Sequence, residues 1–157
     1  MKVYFLRHGI AVDAAEWKGG DADRPLTDDG RKQLKKIAKA LRDLDLGLNA
    51  IVTSPLLRAK HTAEIVAGKL GIDVQEDERL SPEFDNPRLS ELLQDHRDAQ
   101  SILLVGHEPS MSTVIGKLVL AAKIDLKKAG IALVDVPAPS SQSGTLLWLI
   151  PPKVLLG

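Results

Sequence analysis

The chain opens on the apolar run Val3-Tyr4-Phe5-Leu6, which ends in Arg7-His8-Gly9. Four consecutive apolar residues predict a buried strand, and a glycine allows the backbone to turn away from its end. Arginine offers a rigid fork of donors that matches phosphoryl oxygens, whereas a neutral imidazole can act as a nucleophile or carry protons. The end of this first strand is therefore a candidate site for handling a phosphate group.

Two further strand-to-helix junctions carry similar side chains. Ser54-Pro55-Leu56-Leu57-Arg58 follows a predicted strand over 49–53, and Val105-Gly106-His107-Glu108-Pro109 ends a predicted strand over 101–105. The serine and proline predict that a helix begins near Pro55, and the free N–H groups at its start would attract anions. In an open parallel sheet the carboxyl ends of the strands share one edge, where ligands bind. We therefore expect one anion pocket that contains Arg7, His8, Arg58 and His107.

Each of these four residues also has an ordinary structural interpretation when it is taken alone. An arginine can lie on a solvated surface, and a lone histidine is more often a hydrogen-bonded core residue than a reactive one. Four such residues at three strand ends are a much rarer coincidence, so the sequence favours a shared site. His61 and His96 fall on predicted helices away from the strand ends, and we interpret them as structural or surface residues.

The rest of the chain alternates between strands and helices. Thr27 predicts the start of a first helix, and the preceding loop over 9–24 is long enough to cover a site. The segments 131–136 and 145–150 predict two more strands, and the turn-rich connection between them allows antiparallel pairing. The sequence therefore predicts an α/β fold, a three-layer α/β/α sandwich whose mostly parallel central sheet has helices on both faces.

Composition limits the classes of function that the chain can have. Its 157 residues fit one domain over 1–157, and 44% of them are hydrophobic. Lysine plus arginine and aspartate plus glutamate both total 21, and aromatic residues make up 3%, so we expect no nucleic-acid partner. No apolar run approaches the roughly 18 residues of a membrane helix, so we expect no membrane partner. The absence of cysteine fits a cytoplasmic protein.

Four motifs resemble those of the histidine phosphatase superfamily, which is also called phosphoglycerate-mutase-like. Arg7-His8-Gly9 resembles its RHG signature, and Ser54-Pro55-Leu56-Leu57-Arg58-Ala59 with Thr62-Ala63 is similar to its SPLxRAxxTA segment. Gly106-His107 matches its second histidine, and Pro25-Leu26-Thr27 with Gly30 and Gln33 resembles its PLTxxGxxQ stretch. The resemblance implies the phosphoglycerate-mutase-like form of the α/β sandwich.

Within that superfamily the short chain resembles the SixA-type phosphohistidine phosphatases. The stretch over 24–27 and the ending Leu147-Trp148-Leu149-Ile150-Pro151-Pro152-Lys153 are similar to that branch. The resemblance implies that His8 is a nucleophile that forms a transient phosphohistidine, which water then hydrolyses. It also implies that the phosphoryl oxygens are held by Arg7, Arg58 and His107. Arg24 is a candidate for a further contact with phosphate or substrate.

The general acid is where the chain departs from the superfamily pattern. Mutases and phosphomonoesterases of the superfamily carry a glutamate two residues after a leucine, whereas Glu83 lies three residues after Leu80. Glu83 is the candidate acid, and Asp23 and Glu108 are alternatives. An imidazole leaving group is far less basic than an alkoxide, because its pKa is near 6.5, so cleavage of phosphohistidine needs less help from an acid.

Three functions remain open from the sequence. The first is a phosphatase that acts on phosphohistidine of a signalling or phosphotransfer protein, such as a histidine phosphotransfer domain or a phosphotransferase carrier. The second is a small-molecule phosphomonoesterase with Glu83 as its acid, and the third is a non-catalytic module that binds phosphate or a phosphoprotein. We expect a monomer that uses no metal or other cofactor, since arginine and histidine supply the positive charge. Met111 also replaces the second histidine of an HExxH metal motif that would begin at His107.

Overall fold

The computed structural model describes residues 1–121 and 123–157. Within these ranges the strands are β1 (Lys2–Arg7), β2 (Ala50–Thr53), β3 (Val74–Glu76), β4 (Ser101–Gly106), β5 (Ile131–Asp135) and β6 (Thr145–Ile150). They form one sheet in the order β3-β2-β4-β1-β5-β6. The pairs β1–β4, β2–β4 and β2–β3 are parallel, whereas β1–β5 and β5–β6 are antiparallel. The predicted mostly parallel sheet with an antiparallel pair at its end is therefore confirmed.

Helices cover both faces of the sheet. They are α1 (Asp28–Asp43), α2 (Leu57–Leu70), α3 (Asn86–Asp95), α4 (Ser110–Val119) and α5 (Pro152–Leu155). Successive side chains of a strand point to opposite faces, and β1 follows that rule. Val3 and Phe5 pack in a core with α3 and α4, whereas Tyr4 and Leu6 pack in a core with α1 and α2. The predicted three-layer sandwich is thus confirmed, and no helix in the described ranges has the length and apolar character to cross a membrane.

The register of the sheet brings the three candidate strand ends together. Strand β4 lies between β1 and β2, with Arg7 opposite Gly106 and Thr53 opposite Val105. The His8 N–H extends the ladder by donating to the Gly106 carbonyl oxygen at 3.0 Å. The residues that follow β1, β2 and β4 therefore lie at one edge of the sheet, as the sequence predicts.

Helix α2 begins later than the sequence predicts. The prediction that Ser54 and Pro55 open this helix is wrong, because α2 starts at Leu57 and its N-cap, Leu56, provides no side-chain hydrogen bond. Ser54 instead extends the strand ladder, since its N–H donates to the Val105 carbonyl oxygen at 3.0 Å. The correction leaves Arg58 in the first turn of α2.

A close backbone approach makes glycine necessary in the first turn of α1. As predicted, Thr27 caps this helix by accepting a hydrogen bond from the Gly30 N–H at 3.0 Å. The Thr27 N–H in turn donates to the Ile10 carbonyl oxygen at 3.0 Å. A Cβ atom on Gly30 would lie 2.2 Å from that same oxygen, so any side chain here would push the loop away from α1.

We expect Gly30→Ala to lower the free energy of unfolding by about 1–3 kcal/mol, the usual cost of overpacking a rigid contact. Gly68→Ala is the matched control, because Gly68 also lies within a helix but a Cβ there meets nothing within 4 Å. In that control alanine should stabilise the protein by about 0.5–1 kcal/mol through helix propensity. Urea unfolding measures both effects, and equal stability of the two variants would contradict the role of the close approach.

Candidate active site

His8 lies directly after β1 and is 7% exposed. Its Nδ1 atom is 2.7 Å from the Gly9 carbonyl oxygen. Because a carbonyl oxygen only accepts hydrogen bonds, Nδ1 carries the ring hydrogen and the lone pair of the neutral ring lies on Nε2. The backbone thus fixes the tautomer in which Nε2 can act as a nucleophile.

The turn after His8 is held against α2 by a threonine. The Gly9 N–H donates to Thr62 Oγ1 at 3.1 Å, and the Thr62 hydroxyl donates to the Arg58 carbonyl oxygen at 2.7 Å. Thr62 therefore links the turn that holds His8 to the turn that holds Arg58. The sequence analysis named Thr62 only as part of the segment that resembles SPLxRAxxTA and did not predict this link between the two turns.

His107 follows β4 and faces His8, with the two ring centroids 5.3 Å apart. Its Nε2 atom is 2.8 Å from Ser54 Oγ, which already accepts a hydrogen bond from the Leu56 N–H at 3.3 Å. The hydroxyl hydrogen of Ser54 is therefore available to Nε2, which favours the tautomer with the ring hydrogen on Nδ1. Nδ1 is buried and has no partner among the residues that the structure describes, so it is available to donate to a bound anion.

Two arginines add further donors next to the histidines. Arg7 donates from Nη1 to the Leu126 carbonyl oxygen at 3.0 Å. Arg58 is 4% exposed and donates from Nη1 and Nη2 to Asp21. In the described ranges, the Nε atom of each arginine is buried without a partner. Buried polar groups are nearly always hydrogen-bonded, so these donors indicate a binding site for an anion.

Burial and positive charge keep both histidines neutral. Burial lowers the pKa of His8 to about 3, and His107, Arg58 and Arg7 act in the same direction, while the hydrogen bond to Gly9 opposes them. Burial also lowers the pKa of His107 to about 4, and the charge of Arg58 adds to this effect. At neutral pH the Nε2 atom of His8 is therefore unprotonated, as a nucleophile requires.

The low pKa values of the two histidines predict that stability falls as the pH drops below 6.5. In the unfolded chain both rings take up a proton near pH 6.5, whereas in the folded protein they do so only near pH 3 to 4. Between pH 6 and 5, each ring should lower the free energy of unfolding by an amount that approaches about 1.4 kcal/mol per pH unit. Urea unfolding at pH 7, 6 and 5 measures the slope, and an unchanged slope in His107→Asn would contradict this assignment.

Arg24 is joined to the pocket through a carboxylate that sequence reasoning missed. Its Nε atom donates to Asp21 Oδ1 at 2.9 Å, and its Nη1 atom donates to the Val12 carbonyl oxygen at 2.8 Å. Asp21 lies in a short 3-10 helix over Asp21–Asp23, and its Oδ2 atom is 3.1 Å from Arg58 Nη2. In the sequence, the only indication of this ion pair is that Asp21 lies three residues before Arg24.

The structure does not bring the candidate acids into this network of contacts. Glu83 is exposed between a 3-10 helix over Glu78–Leu80 and α3, and its backbone carbonyl accepts a hydrogen bond from Arg88. The Glu108 carboxylate accepts from the Ser112 N–H at 3.0 Å at the start of α4. In the described part of the chain, no hydrogen bond joins Glu83, Glu108 or the exposed Asp23 to the two histidines. A role for Glu83 as general acid stays a prediction.

The fold and the site define an α/β protein with two facing histidines and two arginines at the carboxyl edge of its parallel strands. A family model described as "Histidine phosphatase superfamily (branch 1)" matches residues 3–91. The chain belongs to this superfamily, whose members are phosphatases and mutases. The resemblance that the four motifs indicated, including the SixA-type branch, is confirmed.

The chain is similar to three proteins of different kinds. It is 38% identical over 165 residues to an uncharacterized protein of Picosynechococcus sp., with 99% of each chain covered. It is 42% identical over 81 residues to "Probable phosphoglycerate mutase GpmB" of Cronobacter sakazakii, a match that covers 51% of this chain and only 37% of that relative. The solved structure of the protein histidine phosphatase SixA complexed with tungstate superposes with a TM-score of 0.87 and 27% identity over 99% of both chains.

Proposed function

We propose that this protein is a phosphohistidine phosphatase that acts on a phosphorylated protein, with His8 as the nucleophile. The observation that carries the proposal is the fixed tautomer of His8, which leaves the Nε2 lone pair free, together with the unpartnered buried donors of Arg7, Arg58 and His107 at the same edge of the sheet. The similarity to SixA along the whole chain supports a protein substrate, and the tungstate in that structure is a tetrahedral anion like phosphate. A histidine phosphotransfer domain or a phosphotransferase carrier fits this substrate class.

The reaction has two transfer steps. In the first, His8 Nε2 attacks phosphorus while the phosphorus–nitrogen bond of the substrate breaks, and its electron pair returns to the leaving imidazole. Arg7, Arg58 and Nδ1 of His107 hold the phosphoryl oxygens as charge builds on them. In the second, water attacks the phosphorylated His8 and releases inorganic phosphate. The substrate ring carries a hydrogen on its other nitrogen and therefore leaves as neutral imidazole. Over both steps, the oxygen and the hydrogens of the water end on the released phosphate.

The placement of Glu83 fits this substrate. An alkoxide that leaves from a phosphate ester is strongly basic and needs a proton from an acid, whereas a neutral imidazole leaves more easily. Glu83 is exposed, and the structure gives its carboxylate no hydrogen bond to the pocket within the described ranges. A general acid contacts the leaving group rather than the histidines, so this placement supports phosphohistidine only in that cleavage of its phosphorus–nitrogen bond depends less on such an acid.

A small-molecule phosphomonoesterase is the second candidate function. The 81-residue match to GpmB, a probable phosphoglycerate mutase, supports it only in that a mutase of this kind also acts on a small phosphate ester. That match leaves about half of this chain and most of the relative uncovered. This alternative needs an acid for the leaving group, and Glu83 is the candidate that it would use.

The experiment that separates these functions measures hydrolysis of a phosphohistidine-bearing protein beside p-nitrophenyl phosphate. We expect rapid loss of phosphohistidine, weak ester turnover, and a change of less than about threefold on Glu83→Gln, because an imidazole needs little acid assistance. Strong turnover of the ester that drops in Glu83→Gln would instead support the phosphomonoesterase. No turnover of either substrate would point to the third possibility, a module that only binds phosphate or a phosphoprotein.

A further inference from the structure

One carboxylate lies between two arginines beside the candidate active site. Asp21 accepts hydrogen bonds from Arg58 Nη1 at its carbonyl oxygen, 3.0 Å away, and from Arg58 Nη2 at Oδ2, 3.1 Å away. Its other carboxylate oxygen, Oδ1, accepts from Arg24 Nε at 2.9 Å. The hydrogen bond from Arg24 is the main reason why the pKa of Asp21 lies below its usual value, and Arg58 adds to the effect. Asp21 is thus ionised at neutral pH.

These contacts use only part of the guanidinium of Arg58. The group has five N–H donors in a rigid plane, and Asp21 takes one from each terminal nitrogen. The Nε–H is left buried and without a partner among the described residues. An arginine that is held by its two terminal nitrogens can still offer its Nε side to a second anion.

We propose that Asp21 is a positioning residue that holds the guanidinium of Arg58 so that its Nε–H is presented to the phosphoryl group. The inference rests on the proposed function, because it assigns to Asp21 the orientation of a group that would bind the transferred phosphate. Asp21 does not touch the reacting atoms. Asp21 acts through Arg58. Its hydrogen bond from Arg24 also holds the 3-10 helix that contains Asp21 next to the pocket.

The alternative is that Asp21 competes with phosphate for Arg58 and blocks the site. The donors left over argue against competition, because three of the five N–H groups of Arg58 are not taken by Asp21. The charges argue in the same direction, since a single carboxylate is shared between Arg24 and Arg58. The pocket therefore keeps its attraction for an anion while Asp21 is bound.

Binding of orthovanadate and of inorganic phosphate separates positioning from a general structural role. Vanadate bound to a nucleophile imitates the transition state and depends on correctly placed donors, whereas phosphate needs mainly positive charge. We expect Asp21→Ala to weaken vanadate binding by at least about tenfold and to change phosphate binding by less than about threefold. On the phosphohistidine protein, kcat should fall by at least about tenfold with little change in KM. Asp21→Asn, which keeps one acceptor oxygen, should lie between Asp21→Ala and wild type.

Glu16→Ala is the matched control, because Glu16 is an exposed acid on the same loop, and within the described ranges its carboxylate makes no hydrogen bond or ion pair. It should behave as wild type in every assay. The Asp21 side chain is 58% exposed, but the Arg58 side chain is only 5% exposed and Asp21 offsets part of the penalty for burying its charge, so Asp21→Ala should lower the urea midpoint slightly.

Each other outcome overturns the proposal in a recognisable way. Tighter binding of both anions and faster turnover in Asp21→Ala would show that Asp21 competes for Arg58. Weaker binding of both anions together with a much lower urea midpoint would show a structural role only. Wild-type behaviour of Asp21→Ala in an enzyme that His8→Ala inactivates would reject the role of Asp21 and leave the proposed function intact. A wild-type protein that neither binds these anions nor hydrolyses phosphohistidine would overturn the proposed function as well.

Discussion

His8→Ala is expected to reduce hydrolysis of a phosphohistidine protein by at least about 10,000-fold, because it removes the atom to which the phosphoryl group is transferred. The remaining donors would still bind phosphate, but no other side chain among residues 1–121 and 123–157 has the same placement. The ring of His8 is tied through Nδ1 to the Gly9 carbonyl oxygen and kept neutral by burial, with its pKa at about 3. His107 cannot replace it, since its Nε2 atom is 2.8 Å from Ser54 Oγ.

The measurement combines turnover with trapping of the intermediate. A substrate that carries radioactive phosphate should label the wild-type chain with an acid-labile, alkali-stable phosphate, as expected for phosphohistidine, and His8→Ala should stay unlabelled. His96→Ala is the control, because this histidine lies at the end of α3 and its described hydrogen bonds involve only its backbone. Label on the His8→Ala chain, or turnover near that of wild type, would remove His8 from the role of nucleophile.

Arg58→Ala is expected to lower turnover by about 100- to 1,000-fold, the usual loss when a preorganised donor to a developing oxyanion is removed. Arg58→Lys should recover only a small part of the loss, because an ammonium keeps the charge but lacks the planar fork that holds Asp21 through its terminal nitrogens and leaves Nε–H free for phosphate. Arg42→Ala is the control, since Arg42 is exposed on α1 and pairs with Asp43. Loss of activity in Arg58→Ala that Arg58→Lys fully restores would mean that charge alone matters.

The same substitution should leave folding intact or strengthen it. Burial lowers the pKa of Arg58, which means that the folded protein disfavours its charge, although Asp21 offsets part of this effect. Removing a buried charge whose partner is exposed to solvent relieves that penalty, a common trade between activity and stability at functional sites. Urea unfolding of Arg58→Ala should therefore give a midpoint equal to or above that of wild type. A clearly lower midpoint would assign Arg58 a structural role.

Most of the sheet could be predicted from local patterns in the sequence. The apolar run before Arg7 and the run over 101–105 lie in β1 and β4, and the antiparallel pair near the end of the chain forms as expected. The start of α2 was predicted wrongly, because serine followed by proline is a common start of a helix, whereas Ser54 here hydrogen-bonds to His107. Local propensity cannot show that a side chain has a partner 53 residues away.

The sequence by itself determined which residue types reach the candidate site, because strand ends, their order and the edge they share follow from hydrophobic periodicity and the rules of parallel sheets. Only the tertiary structure decided how those residues are used. The tautomer of His8 depends on the turn at Gly9, and the orientation of Arg58 depends on Asp21, 37 residues earlier in the chain. Such contacts follow from the path of a long loop and from burial, which set hydrogen-bond partners and pKa values but leave no periodic pattern in the sequence.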